Sequence, residues 1–322
     1  FLLPLSVTAT EKKEVEKPCF VAATTQKLEI LKVVLTDERT RLDAVMYGTP
    51  GDLAIISDKT CLHTAAGDYA VCEAEHVSIG GFTQPGEIPE SGRLRVSLFF
   101  PPLPANVRVV DFMDKEDGWC IYGLQLTGIE PYVFVPDFLL ALPQKAPSPI
   151  DESQINPGKS IVNGYVLGYD PGMKLDATFK LSDWLTYNGV IHPLKIHPDG
   201  SFHVEADLLL PTCARIQLGA AWLDVLLLPG KEFTVHIHLP RFIMSHSRTL
   251  AHKVEKEPSL WFDGEYTPCE CDYASYRARM EETNRALCED IRKARSAYLS
   301  LRGNPKAEAG LSGISSASVR EY

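Results

Sequence analysis

Residues 93–104, RLRVSLFFPPLP, constrain the fold more than any other stretch of the chain. Leu94, Val96 and Leu98 fall on one face of an extended segment, and Arg93, Arg95 and Ser97 on the other. Pro101, Pro102 and Pro104 then end the strand, because proline has no N–H to give to a ladder. The same grammar recurs from Cys19 to about Leu142. LEILKVVL, VRVVDFM and WCIYGLQL read as strands between turn signals, and no helical period interrupts them. Short strands in such a series predict an antiparallel sandwich.

A second series follows. Residues 143–159, PQKAPSPIDESQINPGK, carry four prolines among polar residues and read as a linker. From Ser160 to Arg241 the strands resume with IVNGYVLGYDPG. In KIHPDGSFHVEADLLLP two strands join through Pro198-Asp199-Gly200, where proline sets one dihedral and glycine supplies a positive one. The apolar run Val225 to Leu228 predicts a strand buried on both faces. The fold class is therefore mainly β: two antiparallel, immunoglobulin-like sandwich modules over 18–142 and 160–241. A polar connector over 242–266 leads to a helical segment over 267–302 and a tail over 303–322. Thr267-Pro268-Cys269-Glu270 fits a capping box, and Tyr273, Tyr276, Met280, Leu287, Ile291 and Tyr298 share one helical stripe.

Composition narrows the function classes. With 322 residues, 45% hydrophobic and 23% charged, the chain can bury more than one core. A net charge of −10 argues against nucleic acid, which demands a concentrated basic surface. The opening FLLPLSVTAT reads as the truncated end of an export signal, with the charged EKKEVEKP behind it as linker, so that 1–17 lie outside the modules. A buried N-terminal strand is the competing reading. No run reaches the ~20 apolar residues of a membrane helix. A periplasmic or otherwise extracytoplasmic location is expected.

Eight cysteines are compatible with that location. Cys61 and Cys72 lie symmetrically about Ala66-Gly67 in KTCLHTAAGDYAVC, so a hairpin there puts the two sulfurs opposite each other. A disulfide is one reading, and two buried thiols the other. Cys269 and Cys271 are the candidate reactive thiols, since a helix N-terminus favours a thiolate. Their spacing is one residue short of Cys-x-x-Cys, and a structural role is the preferred reading. His236 and His238 share a face of one strand, and His203, Glu205 and Asp207 a face of another. These make a metal site only if the two strands pair; otherwise they form a solvated sheet face. The sequence has no Gly-rich phosphate loop with its lysine, no G-x-S-x-G and no H-E-x-x-H. No catalytic, cofactor-binding or metal-ligating residue is assigned.

Several stretches carry a resemblance. GYVLGY, HPDGSF, LLPTCARI and VLLLPGKEFTV in the second module are similar to the β-rich domains that precede a thioredoxin-like domain in TlpA-like thiol-disulfide oxidoreductases of Bacteroides-type envelopes. LEILKVVLTD, PESGRLRVSLFFPPLPANV, VDF and IYGLQLTG resemble their partner module. The resemblance spans roughly residues 18–300 and implies a periplasmic accessory region that positions a C-terminal thioredoxin-like domain or its protein substrates. That family's Cys-x-x-Cys occurs nowhere in these residues, so no redox residue carries over. From another class, the alternative is an envelope binding module for carbohydrate or another surface ligand. Trp119, Trp184, Trp222 and Trp261 are its candidate stacking residues, with burial in the core as the competing reading for each.

Overall fold

The computed structural model describes residues 13–81, 86–142, 157–182, 189–208 and 211–264, together with 268, 285, 289–290, 292–294 and 296. It is mainly β, with several antiparallel sheets. Among the described residues no helix is long and apolar enough to cross a membrane. Two compact units emerge, and neither is continuous in sequence. The first comprises Phe1–Val133 and Leu239–Pro258, the second Phe134–His238 and Ser259–Tyr322.

The strands of the first unit are β1 (Lys13–Glu16), β2 (Ala22–Ala23), β3 (Leu28–Leu35), β4 (Thr40–Tyr47), β5 (Leu53–Ile56), β6 (Thr60–Thr64) and β7 (Gly67–Ala70). They continue with β8 (Glu73–Glu75), β9 (Ser78–Ile79), β10 (Gly86–Glu87), β11 (Arg93–Phe100), β12 (Val109–Asp114) and β13 (Cys120–Gln125). One five-stranded sheet runs β1-β3-β4-β11-β8, the other β2-β13-β12-β6-β7, and a small sheet β10-β5-β9 lies beside them. The alternation in RLRVSLFF is realised: Val96, Leu98 and Phe100 are buried while Arg93 and Arg95 are exposed. Phe100 of β11 meets Phe112 of β12 edge-on, at 6.1 Å and 83°, so the two large sheets share one core. Burying each ring contributes about 1.5–3 kcal/mol.

Two departures from the sequence reading follow from pairing. The charged stretch taken as linker within 1–17 contributes β1, whose Val15 is buried opposite Val33. Glu14 and Glu16 face outward, where both pair with Lys32. The connector drawn over 242–266 is not a polar spacer either. It holds part of α2 (Leu239–Ser245), then α3 (Ala251–Val254) and β21 (Leu260–Gly264). Phe242, Ile243, Met244, Leu250 and Val254 are buried, and α2 packs beside β2. Four-residue periodicity too short to register as a helix hid this segment. Its energy comes from burial of one apolar face rather than from helix propensity.

In the second unit a short helical turn, α1 (Asp137–Leu140), precedes β14 (Gly158–Leu167), β15 (Ala177–Ser182), β16 (Gly189–Pro193), β17 (Ser201–Leu208), β18 (Thr212–Leu218), β19 (Ala221–Leu227) and β20 (Glu232–His238). The sheets run β17-β14-β20-β21 and β16-β15-β18-β19. Pairing is antiparallel throughout except between β14 and β20, which run parallel. A parallel pair needs a long crossover, and the five strands between β14 and β20 provide it. The Pro-Asp-Gly turn forms as its residues dictate: Gly200 takes φ +83°, and its N–H donates to the His197 carbonyl. Val225, Leu226 and Leu227 are all buried.

The linker over 143–159 lies outside the described residues up to 156, and β14 begins at its end. Cys269 and Cys271, the cap at Thr267, the tail and FLLPLSVTAT also lie outside them. Within 267–302 the described residues Arg285, Glu289–Asp290, Arg292–Ala294 and Ser296 are helical.

Candidate functional site, a groove in the first unit

Where β4 ends and β11 begins, Tyr47 and Arg93 stand as register partners at one margin of an open groove of about 1130 Å³. The turn from Gly48 to Asp52 is built by its own sequence. The Asp52 carboxylate accepts from the Thr49 N–H at 3.0 Å, and Gly51 takes φ +88°, a conformation that strains any side chain. Gln26 and Lys27 precede β3, and the Lys27 carbonyl accepts from the Tyr47 N–H at 2.7 Å.

The opposite wall comes from the hairpin between β12 and β13. Asp114 organises that turn from within the core. One carboxylate oxygen accepts from the buried Thr60 hydroxyl at 2.8 Å, and the other from the N–H groups of Glu116 and Asp117 at 2.9 and 3.0 Å. Gly118 closes the turn at φ +74°. Trp119 follows, half-buried, with Phe112 edge-on at 5.0 Å and 76° fixing one side of its indole. Both Trp119 and Asp117 line the groove.

Arg248 completes the lining from the return segment. The Ser247 hydroxyl accepts from the Leu250 N–H at 3.1 Å and so turns the chain between α2 and α3. That turn sets the Arg248 backbone N–H 2.7 Å from one oxygen of Glu29, whose other oxygen accepts from the Tyr47 phenol at 3.3 Å. The guanidinium lies over the Tyr47 ring, 3.9 Å from its centroid, and donates through Nη1 to the Gln26 carbonyl at 3.2 Å. Burial and the Glu29 carboxylate push the Tyr47 phenol above its ordinary pKa against the pull of Arg248 and Arg93, so it stays neutral.

The residues singled out from sequence fare differently. Cys61 and Cys72 are both free thiols. The expected hairpin exists, but its ladder pairs Thr64 with Gly67 and Cys61 with Ala70. The turn is therefore Ala65-Ala66, one residue earlier than symmetry between the cysteines requires. Cys72 has left that ladder altogether. Its N–H and Sγ both reach the Phe99 carbonyl of the other sheet, at 2.9 and 3.2 Å. The buried thiols Cys19, Cys61 and Cys120 are raised in pKa chiefly by desolvation, which removes thiolate character. Cys213 is disulfide-bonded, and its partner lies outside the described residues.

The two histidine strands are not neighbours, because β14 stands between β17 and β20. His203 Nδ1 instead bonds Asn163 at 2.8 Å, on an exposed ladder with Glu205 and Lys159. His236 stacks on Tyr165 at 5.1 Å and 11°, with Phe138 edge-on at 5.7 Å. Among the described residues no three His, Cys, Asp or Glu side chains gather as metal ligands. Of the tryptophans, Trp261 is buried and Trp222 is half-buried beneath Arg215, at 5.1 Å. Trp184 lies outside the described residues, and among those described Trp119 alone of the tryptophans lines the groove. Arg248, Tyr47 and Glu29 were not singled out from sequence. Nothing local marks a residue so distant along the chain as part of the first module.

No family model, curated protein or solved structure matches the chain.

Proposed function

We propose that this chain is a non-catalytic binding module of the cell envelope that holds a sugar-class ligand in the groove of its first unit. One observation carries the reading: Trp119 lines an open groove together with hydrogen-bonding side chains such as Gln26, Thr49 and Ser91. Sugar rings present apolar C–H faces edged by hydroxyls, and an aromatic plate among polar groups matches both. Among the described residues the groove's lining contains no cysteine. Titration with a panel of neutral and acidic oligosaccharides, followed by tryptophan fluorescence, tests the reading. Trp119→Ala should weaken any binding about tenfold or more, equivalent to about 1.4 kcal/mol, and Trp222→Ala should leave it unchanged. Panel-wide silence, or equal binding by the Trp119 variant, removes the proposal.

A second reading is favoured by the stretches that resemble TlpA-like proteins, from LEILKVVLTD to VLLLPGKEFTV. Under it the chain is the accessory region that positions a thioredoxin-like domain or its protein substrates. The source gene, sequenced past the codon for Tyr322, decides between companionship and independence. An in-frame Cys-x-x-Cys segment supports the accessory role, and a stop codon removes it.

A further inference from the structure

We infer that the ligand of this groove is an acidic sugar whose carboxylate is received by Arg248, with Arg93 beside it. This rests on the binding reading above and specifies its ligand. The chain as a whole is acidic, at −10, yet Lys27, Arg93 and Arg248 converge on one groove. Among the described residues neither Arg93 nor Arg248 forms an ion pair with a carboxylate. Of the nearby acids, Asp117 lines the groove with an exposed side chain, while Glu29 and Asp52 are engaged. Glu29 accepts from the Arg248 backbone and the Tyr47 phenol, and Asp52 from the Thr49 N–H.

The Arg248 guanidinium is nevertheless held in place. Tyr47 supports its face, Gln26 takes one N–H, and the Ser247 turn fixes its backbone. A guanidinium has five N–H donors in a rigid fork. One is used here, and among the described residues Nε and Nη2 have no protein acceptor. A stacked, carboxylate-free fork beside an open groove is matched in shape and charge by a planar carboxylate, which it can take bidentately. A uronic acid joins that group to a ring able to lie on Trp119.

Calorimetric titration of the full chain with trigalacturonate and with its carboxyl-reduced, neutral counterpart is the test. The acidic trisaccharide should bind at least tenfold more tightly, and the difference should shrink as salt is raised. Arg248→Gln should abolish the preference, while Arg248→Lys, which keeps the charge but not the fork, should retain only part of it. The Arg248 backbone bond to Glu29 survives either change. If Arg248→Gln fails to fold, Arg93→Gln on the exposed neighbour should reduce the preference several-fold. Equal binding of the two sugars overturns the charge inference and leaves the binding module standing. Binding of neither sugar overturns the acidic-sugar inference, and silence across the whole oligosaccharide panel overturns the binding module as well.

Discussion

Arg248 lies over Tyr47 with its guanidinium 3.9 Å from the ring centroid, and Glu29 bonds to both residues. The contact fastens the return segment to the margin of the groove. The residue inferred to receive the ligand's carboxylate also ties two distant parts of the chain together.

Removing the plate should loosen that tie. Tyr47→Leu keeps apolar bulk but deletes the ring and the phenol, at a cost of about 0.5–2 kcal/mol for the lost cation–π contact. Amide exchange in residues 247–254 should accelerate while that of β12 stays unchanged. An unaltered exchange pattern argues that Ser247 and Lys253, which donates to the Lys17 carbonyl at 2.7 Å, hold the segment without help.

Asp114 makes a sharper case, because its carboxylate serves three donors at once. Asp114→Ala leaves the buried Thr60 hydroxyl without its acceptor and frees the turn that carries Trp119. A loss of about 1–3 kcal/mol in the first unit is expected, read from urea unfolding. The Trp119 emission maximum should move to the red in the folded state.

Gly164 tests packing in the second unit. A Cβ built there would stand 1.9 Å from the Phe202 ring of the paired strand. Phe202 is buried. Gly164→Ala should therefore cost about 1–3 kcal/mol by overpacking. Adding Phe202→Leu should recover part of that loss in the same denaturation assay.

His236 links stability to pH. Desolvation holds its imidazole below the ordinary value of 6.5, with Asp263 working in the opposite direction. The unfolded chain therefore takes up the proton at higher pH than the folded one. Above about pH 7 the residue is neutral in both states and contributes no slope. Below 6.5 stability should fall with pH until the folded value is reached. His236→Phe should flatten the melting temperature between pH 7 and 5 relative to the parent chain.

Thiol accessibility should follow burial. In the folded protein near pH 7.5, a maleimide should label the exposed Cys72 and spare Cys19, Cys61 and Cys120 until denaturant is added. Cys213 should take label only after reduction as well. Peptide mapping by mass spectrometry resolves the order, and early labelling of Cys120 contradicts its burial.

The strands were legible in the sequence where one physical signal dominated. RLRVSLFF alternates because one face is core, and His-Pro-Asp-Gly turns because proline and glycine leave little else. The Cys61–Cys72 pairing failed on a shift of one residue in the centre of a hairpin, since Ala65-Ala66 is a turn without a turn-forming signature. β1 was hidden because only one of its residues faces inward, and charge dominated the reading. For the groove, Trp119 was visible as a residue type but not as a position. Arg248 was illegible, because its role depends on a chain return that no local pattern encodes.

That return has a consequence for how the protein is made. A ribosome delivers β1 to β13 first, then all the strands up to β20, and only afterwards the segment Leu239–Pro258 that the first unit needs. Nascent chain must therefore hold an unfinished first unit while most of the second emerges. A clone ended neatly after β13 would look like a domain and would lack one rim of its own groove.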